Sequence, residues 1–295
     1  MGETMSFEEI TSIEIHSAND IIDFVKSNSL KKYHANTNDM TWYRGQGNYN
    51  WKLEPAVYRD GKFQNESVYI KELERRRPAD FAFDNNFDKL VKMQHYGLPT
   101  RLLDITTNPL VALYFACQNE RDADGAFYYF STPTFWEDNW AVKIVVDFVF
   151  EPETCIESLV KRGKKRMPFL CDLSDKDAES SIWHSLFVPA HAILPRMTNQ
   201  RIIQQSGGFL LFGMSLEKVE VSDNIGNYGK RFMSLLPLNE NQQKMICPVI
   251  KKLKIPKEYK TNIIKELDLL NINEGFLFPE LEYQVKSVIT SIEST

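Results

Sequence analysis

The stretch from Met93 to Cys117, MQHYGLPTRLLDITTNPLVALYFAC, leaves the chain few ways to fold. It reads as the end of a helix, a polar loop and a new buried helix. Gly97 suits the left-handed residue that closes a helix, and Pro99 stiffens the loop backbone. Asn108-Pro109 supplies an N-cap and a first-turn proline. Leu110, Leu113, Tyr114 and Cys117 then fall at i, i+3, i+4 and i+7, one face of a helix. The loop delivers His95, Thr100, Arg101, Asp104, Thr106, Thr107 and Asn108 to a helix opening, an end that favours anions.

Upstream, Ile13 to Ile15 reads as a short strand. Ser17 to Asn28 reads as a helix capped by Ser17 or Asn19, with Ile21, Ile22, Phe24 and Val25 inward. His34 to Asp39 is a polar loop. Thr41 to Gly47, TWYRGQG, is a strand running into a turn. Its glycines let a ligand approach the backbone closely. The Arg44 guanidinium offers a fork for phosphate or carboxylate; equally, it could pair with a carboxylate such as Asp104 or cap the loop. Glu66 to Arg77 and Asn86 to Tyr96 are helices, the second with Phe87, Leu90, Val91 and Gln94 inward. Arg75 to Arg77 fits a solvated helix end.

Downstream, Ala126 to Phe130 and Val142 to Val149 read as strands, the second nearly continuous and so central. Cys155 to Lys165 is a helix ending in a basic run, the best candidate for a polyanion contact. Ser181 to Pro195 carries His184 and His191, with no third metal ligand in view. Arg201 to Phe212 starts polar and ends as a strand. Met245 to Leu253 is a late strand; Tyr259 to Leu270 and Glu280 to Ile292 are helices. Strands and helices alternate without a βαβ rhythm, so the class is α+β.

Composition narrows the function. The 295 residues are 43% hydrophobic and 25% charged, enough for one large globular domain or two small ones. A net charge of -5 argues against a mainly electrostatic nucleic-acid binder. The four cysteines form no CxxC and fit a reducing, cytoplasmic setting without metal or disulfides. No apolar run approaches membrane-spanning length, so no membrane partner is expected. Gly2 and Ser6 formally fit a myristoylation pattern, read as chance. The P-loop, GxSxG, HExxH and strand-linked GxGxxG patterns are absent. Cys117, on an apolar face, is a poor nucleophile. His95 and Asp104 could form an acid–base pair, but no nucleophile completes a triad. The remaining polar groups lie in three segments, Tyr43 to Gln46, His95 to Asn108 and Arg201 to Gln205. They suit a ligand with phosphates, ribose hydroxyls and a flat ring.

At those segments the sequence resembles the FRG domain family, named for its aromatic-Arg-Gly signature. The resemblance rests on Tyr43-Arg44-Gly45-Gln46, on HYGLPTRLLDITTNPLVALYFAC and on Arg201-Ile202-x-x-Gln205-x-Gly207-x-Phe209. It extends to LFPELE at Leu277 to Glu282, and implies a single domain over 1–295 with a core of about 17–281. The layout is also similar to that of ADP-ribosyltransferases, which bind NAD in a split sheet. Those enzymes carry an Arg or His on a first strand, a Ser/Thr or Tyr element in the middle and usually a Glu on a late strand. Arg44-Gly45 takes the first place, and Leu113 to Ala116 is similar to the Tyr-Phe-Ala segment of the poly-ADP-ribosylating branch. Gln205 takes the third place, where it departs from the pattern, because an amide cannot act as a carboxylate base.

The resemblance implies a mixed or antiparallel sheet, split as in those enzymes and flanked by helices. It implies NAD as substrate and no metal. The catalytic residues implied are Arg44, Asp104 and Gln205. Those implied to hold NAD are Tyr43, Arg44, Gly45, Gln46, His95, Thr100, Arg101, Thr106, Asn108 and Tyr114. Within that set, Arg44 takes the pyrophosphate, Gly45 and Thr100 the nicotinamide-ribose half, and Asp104 or Gln205 the reacting ribose or the acceptor. Arg101 either pairs with Asp104 or touches the second substrate; Tyr114 either stacks on nicotinamide or packs in the core. The expected partner is a macromolecular acceptor, protein or nucleic acid, with an antitoxin or phage trigger in a toxin or anti-phage role. The competing expectation is a module that senses a nucleotide without consuming it. A metal-independent nuclease using His95 and Asp104 is the least favoured reading.

Overall fold

The structure is a computed structural model that describes residues 13–28, 39–82, 84–222, 229–243 and 250–293. The loop expected at His34 to Asp39, apart from its last residue, and the start of the strand expected at Met245 lie outside these residues. So do Cys247 and the Gly2–Ser6 pattern.

In chain order the helices are α1 (Ala18–Ser27), α2 (Glu66–Arg76), α3 (Pro78–Phe81), α4 (Asn86–His95), α5 (Pro109–Gln118), α6 (Trp140–Phe150) and α7 (Ile156–Arg166). They continue as α8 (Pro168–Cys171), α9 (Asp175–Phe187), α10 (Gln200–Gln204), α11 (Glu240–Gln243), α12 (Lys257–Leu269), α13 (Glu274–Leu277) and α14 (Leu281–Glu293). The strands are β1 (Asp39–Gln46), β2 (Leu102–Thr106), β3 (Gly125–Trp136), β4 (Ala190–Leu194), β5 (Gly207–Phe212), β6 (Ser215–Ser222), β7 (Lys230–Leu236) and β8 (Ile250–Ile255). The expected α+β class and mixed sheet are present.

Six strands form one sheet, in the order β1-β2-β5-β4-β3-β8, and β1 also pairs with β3. The pairings therefore make a closed circuit, β1-β2-β5-β4-β3 and back to β1. Only β3 and β4 run parallel. Because β1 and β8 both pair with Ala126 to Phe130 of β3, they occupy its opposite edges. Strand alternation then sorts the side chains. Trp42, Leu103, Ile105, Ala126, Tyr128, Phe130, Ala190, Ala192, Leu210 and Phe212, drawn from all five circuit strands, form one buried cluster. Trp42 fills its middle. The indole N–H donates to Thr134 Oγ1 at 2.9 Å, and its ring lies where a Cβ on Gly208 would sit.

The residues alternating with these face two helical layers. Leu102, Phe209 and Leu211 join a cluster with α4, α6, α7 and α9. Tyr43, Phe127, Tyr129 and Leu253 join another with α1, α5 and α12. Helix α1 has the expected cap, with Ser17 and Asp20 forming a reciprocal capping box. Asn108 caps α5 by accepting from Leu110 and Val111 N–H, with Pro109 behind it. Burial on α5 goes beyond one face, taking in Val111, Ala112 and Ala116 as well. That helix lies directly on strand backbone. A Cβ on Gly45 would overlap the Ala112 carbonyl oxygen and lie 2.5 Å from Ala116 N; one on Gly125 would lie 2.5 Å from the Ala116 carbonyl oxygen. Lys260, 1% exposed, holds the end of α5 by donating to the carbonyls of Gly47, Asn119 and Glu120 at 2.6, 3.3 and 2.9 Å.

Two expectations are corrected. Val142 to Val149 is not a central strand but the middle of α6. Asn139 caps that helix through Ala141 N–H, and its outer face is only Trp140, Lys143 and Asp147, so the apolar run outweighs the helical period in the sequence. The loop expected between Gly97 and Asn108 contains β2, five residues long, paired along its length with β5. The β6–β7 hairpin was not anticipated. It is tied to the body by a Cys155–Phe232 bridge and by Arg231, which reaches Glu157 on α7 and Glu179 on α9.

Candidate functional site

The three segments singled out in the sequence meet on adjacent strands. Tyr43 of β1 pairs with Thr106 of β2, which pairs with Gly207 of β5. Beside this row, α4, β2 and α10 enclose a cavity of about 110 Å³, whose polar lining includes Gln94, His95, Asp104, Asn199, Arg201 and Gln205. A second cavity, about 510 Å³, shares Val91, His95, Asn199 and Arg201 with it. The two make one continuous groove.

Local structure explains how each side chain arrives there. Gly97, at φ +88°, turns the chain sharply after α4, and Gly97 N–H donates to the Gln94 carbonyl. Asp104 alternates with Leu103 and Ile105, so its carboxylate is exposed on the groove side while they fill the sheet interior. A relay orients it. Leu102 N–H donates to Thr100 Oγ1, Thr100 donates to Gln94 Oε1 at 2.6 Å, and Gln94 Nε2 donates to Asp104 Oδ1 at 2.9 Å. Asn199 caps α10 through Ile202 N–H, which sets Arg201 and Gln205 on the groove. The Arg201 guanidinium sits 4.6 Å over the Phe278 ring. Gln205 Nε2 donates to the Leu277 carbonyl at 3.0 Å, and its own carbonyl accepts from Thr106 Oγ1 at 2.6 Å.

Other expected site residues are committed elsewhere. The β1–β2 ladder is a single pair. Beside it Arg44, partly buried, donates through Nη1 to the backbone carbonyl of Asp104, in effect an added rung. Burial pulls the Arg44 pKa down, and Asp104 and Tyr128 push it back up. By alternation Arg44 lies on the Trp42 side of β1. It meets Asp104 through backbone, not through the carboxylate. Tyr43 and Tyr114 are core residues, 5% and 4% exposed. Gly45 is approached by α5 and not by open space. Gln46 is buried and donates to the Lys52 carbonyl. Arg101 is not Asp104's partner. It is buried against Glu66, donating from Nε at 3.0–3.1 Å and from Nη2. Thr100 is buried in the relay, Asn108 is a cap, and Thr106 ties β2 to the Gln205 backbone carbonyl ahead of β5. Of the residues expected at the site, His95, Asp104 and Gln205 line the groove.

The groove also holds residues not assigned a role from the sequence. Gln94 was read only as inward-facing, and Asn199 had no signal beyond its type. Glu280 belongs to the LFPELE segment, but nothing in that motif says which side chain it meets.

Elsewhere the blander alternatives hold. Burial pushes the Cys117 thiol up to about 12, which suits packing and not attack. His191 is buried, with Nε2 3.0 Å from the Ser185 carbonyl, and burial lowers its pKa. Arg75 and Arg76 pair with Glu72, and Arg77 with Asp80. In the second basic run Arg162 and Arg166 pair with Asp147, and Lys164 with Asp175. Among the described residues, no group of three His, Cys, Asp or Glu could hold a metal ion. None of their helices is long and apolar enough to cross a membrane.

The fold and groove define an α+β protein whose strand circuit carries a polar cleft on its outer side. The chain carries an FRG domain: residues 39–125 match that family, from β1 to the start of β3. The match includes YRGQ and the whole central motif, and stops ahead of the 201–209 and 277–282 segments. No curated protein and no solved structure matches the chain.

Proposed function

We propose that the groove binds NAD and that the protein transfers ADP-ribose from it to a macromolecular acceptor. The observation that carries this reading is the meeting of the three segments in one row of strands, with the exposed Asp104 carboxylate beside it. In such a reaction the bond from ribose C1′ to nicotinamide breaks, and nicotinamide leaves with the bonding pair. The acceptor then bonds to C1′ and gives up its proton. Positive charge builds on the ribose, so a fixed carboxylate lowers the barrier. Asp104 supplies it, held by Gln94, and stands in for the late-strand glutamate whose place Gln205 takes. Asn199 and Gln94 suit ribose hydroxyls. Protein is the favoured acceptor, because most of the basic side chains in the two runs are paired with carboxylates of the chain itself.

A second reading has its own support. Tyr43, Gly45, Thr100, Arg101 and Tyr114 are consumed by packing, which leaves fewer groups for NAD than the enzyme resemblance implies. A groove that senses a nucleotide without turning it over needs no more than what remains. Incubating the purified protein with NAD labelled on the adenylate, together with cellular protein, RNA and DNA, separates the two. Label moving into one pool supports transfer and names the acceptor class. Intact NAD in every mixture, with nucleotide still bound, supports sensing.

A further inference from the structure

The 277–280 segment lies along the groove. Gln205 holds the Leu277 carbonyl, Arg201 stacks on Phe278, and Gln284 Nε2 donates to the Phe278 carbonyl at 2.9 Å. Glu280 is thereby delivered between His95 and Arg201. Its Oε1 is 3.4 Å from His95 Nε2 and 3.8 Å from Arg201 Nη1. Its Oε2 is buried with no hydrogen-bond partner. Charge-assisted bonds close to about 2.7–2.9 Å when geometry allows, so the carboxylate meets neither the imidazole nor the guanidinium at full strength.

We propose that His95 and Arg201 form a phosphate-binding subsite, which Glu280 covers in the ligand-free chain. A phosphoryl group presents three oxygens and can engage imidazole and guanidinium together, where one carboxylate oxygen reaches both only loosely. Arg201 is pre-positioned by its aromatic platform, so little side-chain freedom is lost on binding. Asp104 on the small cavity and Asp84 and Asp88 on the large one line the groove to either side. Lys92 is taken by Asp84 and by the Asp80 carbonyl. The phosphate is therefore confined to the stretch between, where the two cavities join. This inference rests on the nucleotide reading above and adds to it where the pyrophosphate lies.

The test is calorimetric titration of the full chain with pyrophosphate, ADP-ribose and adenosine. Wild type, Glu280→Gln, Arg201→Gln and His95→Gln are compared, each checked for an unchanged melting temperature. Removing the covering charge should tighten pyrophosphate and ADP-ribose by about tenfold; removing either the imidazole or the guanidinium should weaken them by about as much. Adenosine, which has no phosphate, should respond to none of the changes. A response to ADP-ribose without one to pyrophosphate would mean that the subsite needs the whole nucleotide. Equal binding of both phosphate ligands by all four proteins, or binding by none, overturns the proposal. Loss of the transferase reading looks different: NAD stays intact while pyrophosphate still responds to Glu280→Gln. Transfer with neither pyrophosphate nor ADP-ribose responding to the substitutions leaves the enzyme reading and removes the subsite.

Discussion

Gly45 shows how far a single residue can be read. The sequence says that something approaches its backbone, and that is correct; the visitor is helix α5 and not a ligand. Gly208 repeats the point, with the Trp42 ring as visitor. A glycine records that space is occupied, but the occupant comes from remote parts of the chain. Replacing Gly45 with alanine should destabilise the protein by on the order of 3 kcal/mol, since rigid backbone on both sides cannot yield. A denaturation midpoint close to that of wild type would contradict the packing described. Arg101 is a similar case: legible as important, but its partner Glu66 sits 35 positions away on an apparently solvated helix. Both side chains are nearly fully buried, at 3% and 4% exposure. Glu66→Gln alone should cost about 3–5 kcal/mol, whereas joint replacement of both by apolar residues should recover much of the loss. Urea unfolding of the single and double variants decides this, and strictly additive losses would count against the pair.

Among the elements, those with end signals were legible. Helices α1, α4 and α5 have caps that name their first residues, and α2 and α12 have clear amphipathic spacing. Helix α6 failed because its outer face is narrow, only Trp140, Lys143 and Asp147, and the β-branched apolar run between them reads as a strand. Strand β2 failed because LLDIT alternates for only five residues, and its polar flanks disguised it as loop. The β6–β7 hairpin is held by the Arg231 pairs, and these make it sensitive to acid. Partial burial raises the Glu157 pKa, but hydrogen bonds from Arg231 outweigh that and hold the carboxyl at about 2, against an ordinary 4.5. A folded-state value below the unfolded one stabilises above the unfolded value and is lost as pH falls through the folded one. Amide exchange in β7 should therefore speed up as pH drops from 4.5 toward 2, beyond the intrinsic pH effect. In Arg231→Gln that extra acceleration should disappear; if it persists, another group is responsible.

For the molecule as a whole, the circuit of strands is what brings three distant segments onto adjacent strands, two of which supply the groove. Residue types nominated His95, Asp104 and Gln205, but only the closing of β1, β2 and β5 decides that these line a groove while Arg44, Tyr43 and Tyr114 do not. Long-range pairing of this kind leaves no local mark in a sequence. If the proposed transfer is right, the Asp104 carboxylate on this groove acts on bound NAD. Nicotinamide release should be followed for wild type and Asp104→Asn at matched melting temperature, with the acceptor pool present. Asparagine keeps the shape and can still meet Gln94, but carries no charge. The account predicts release by the wild type and a drop of about a hundredfold or more in the variant, with nucleotide binding kept. Equal release by the two proteins would place the chemistry elsewhere, and no release by the wild type would leave a groove that binds without reacting.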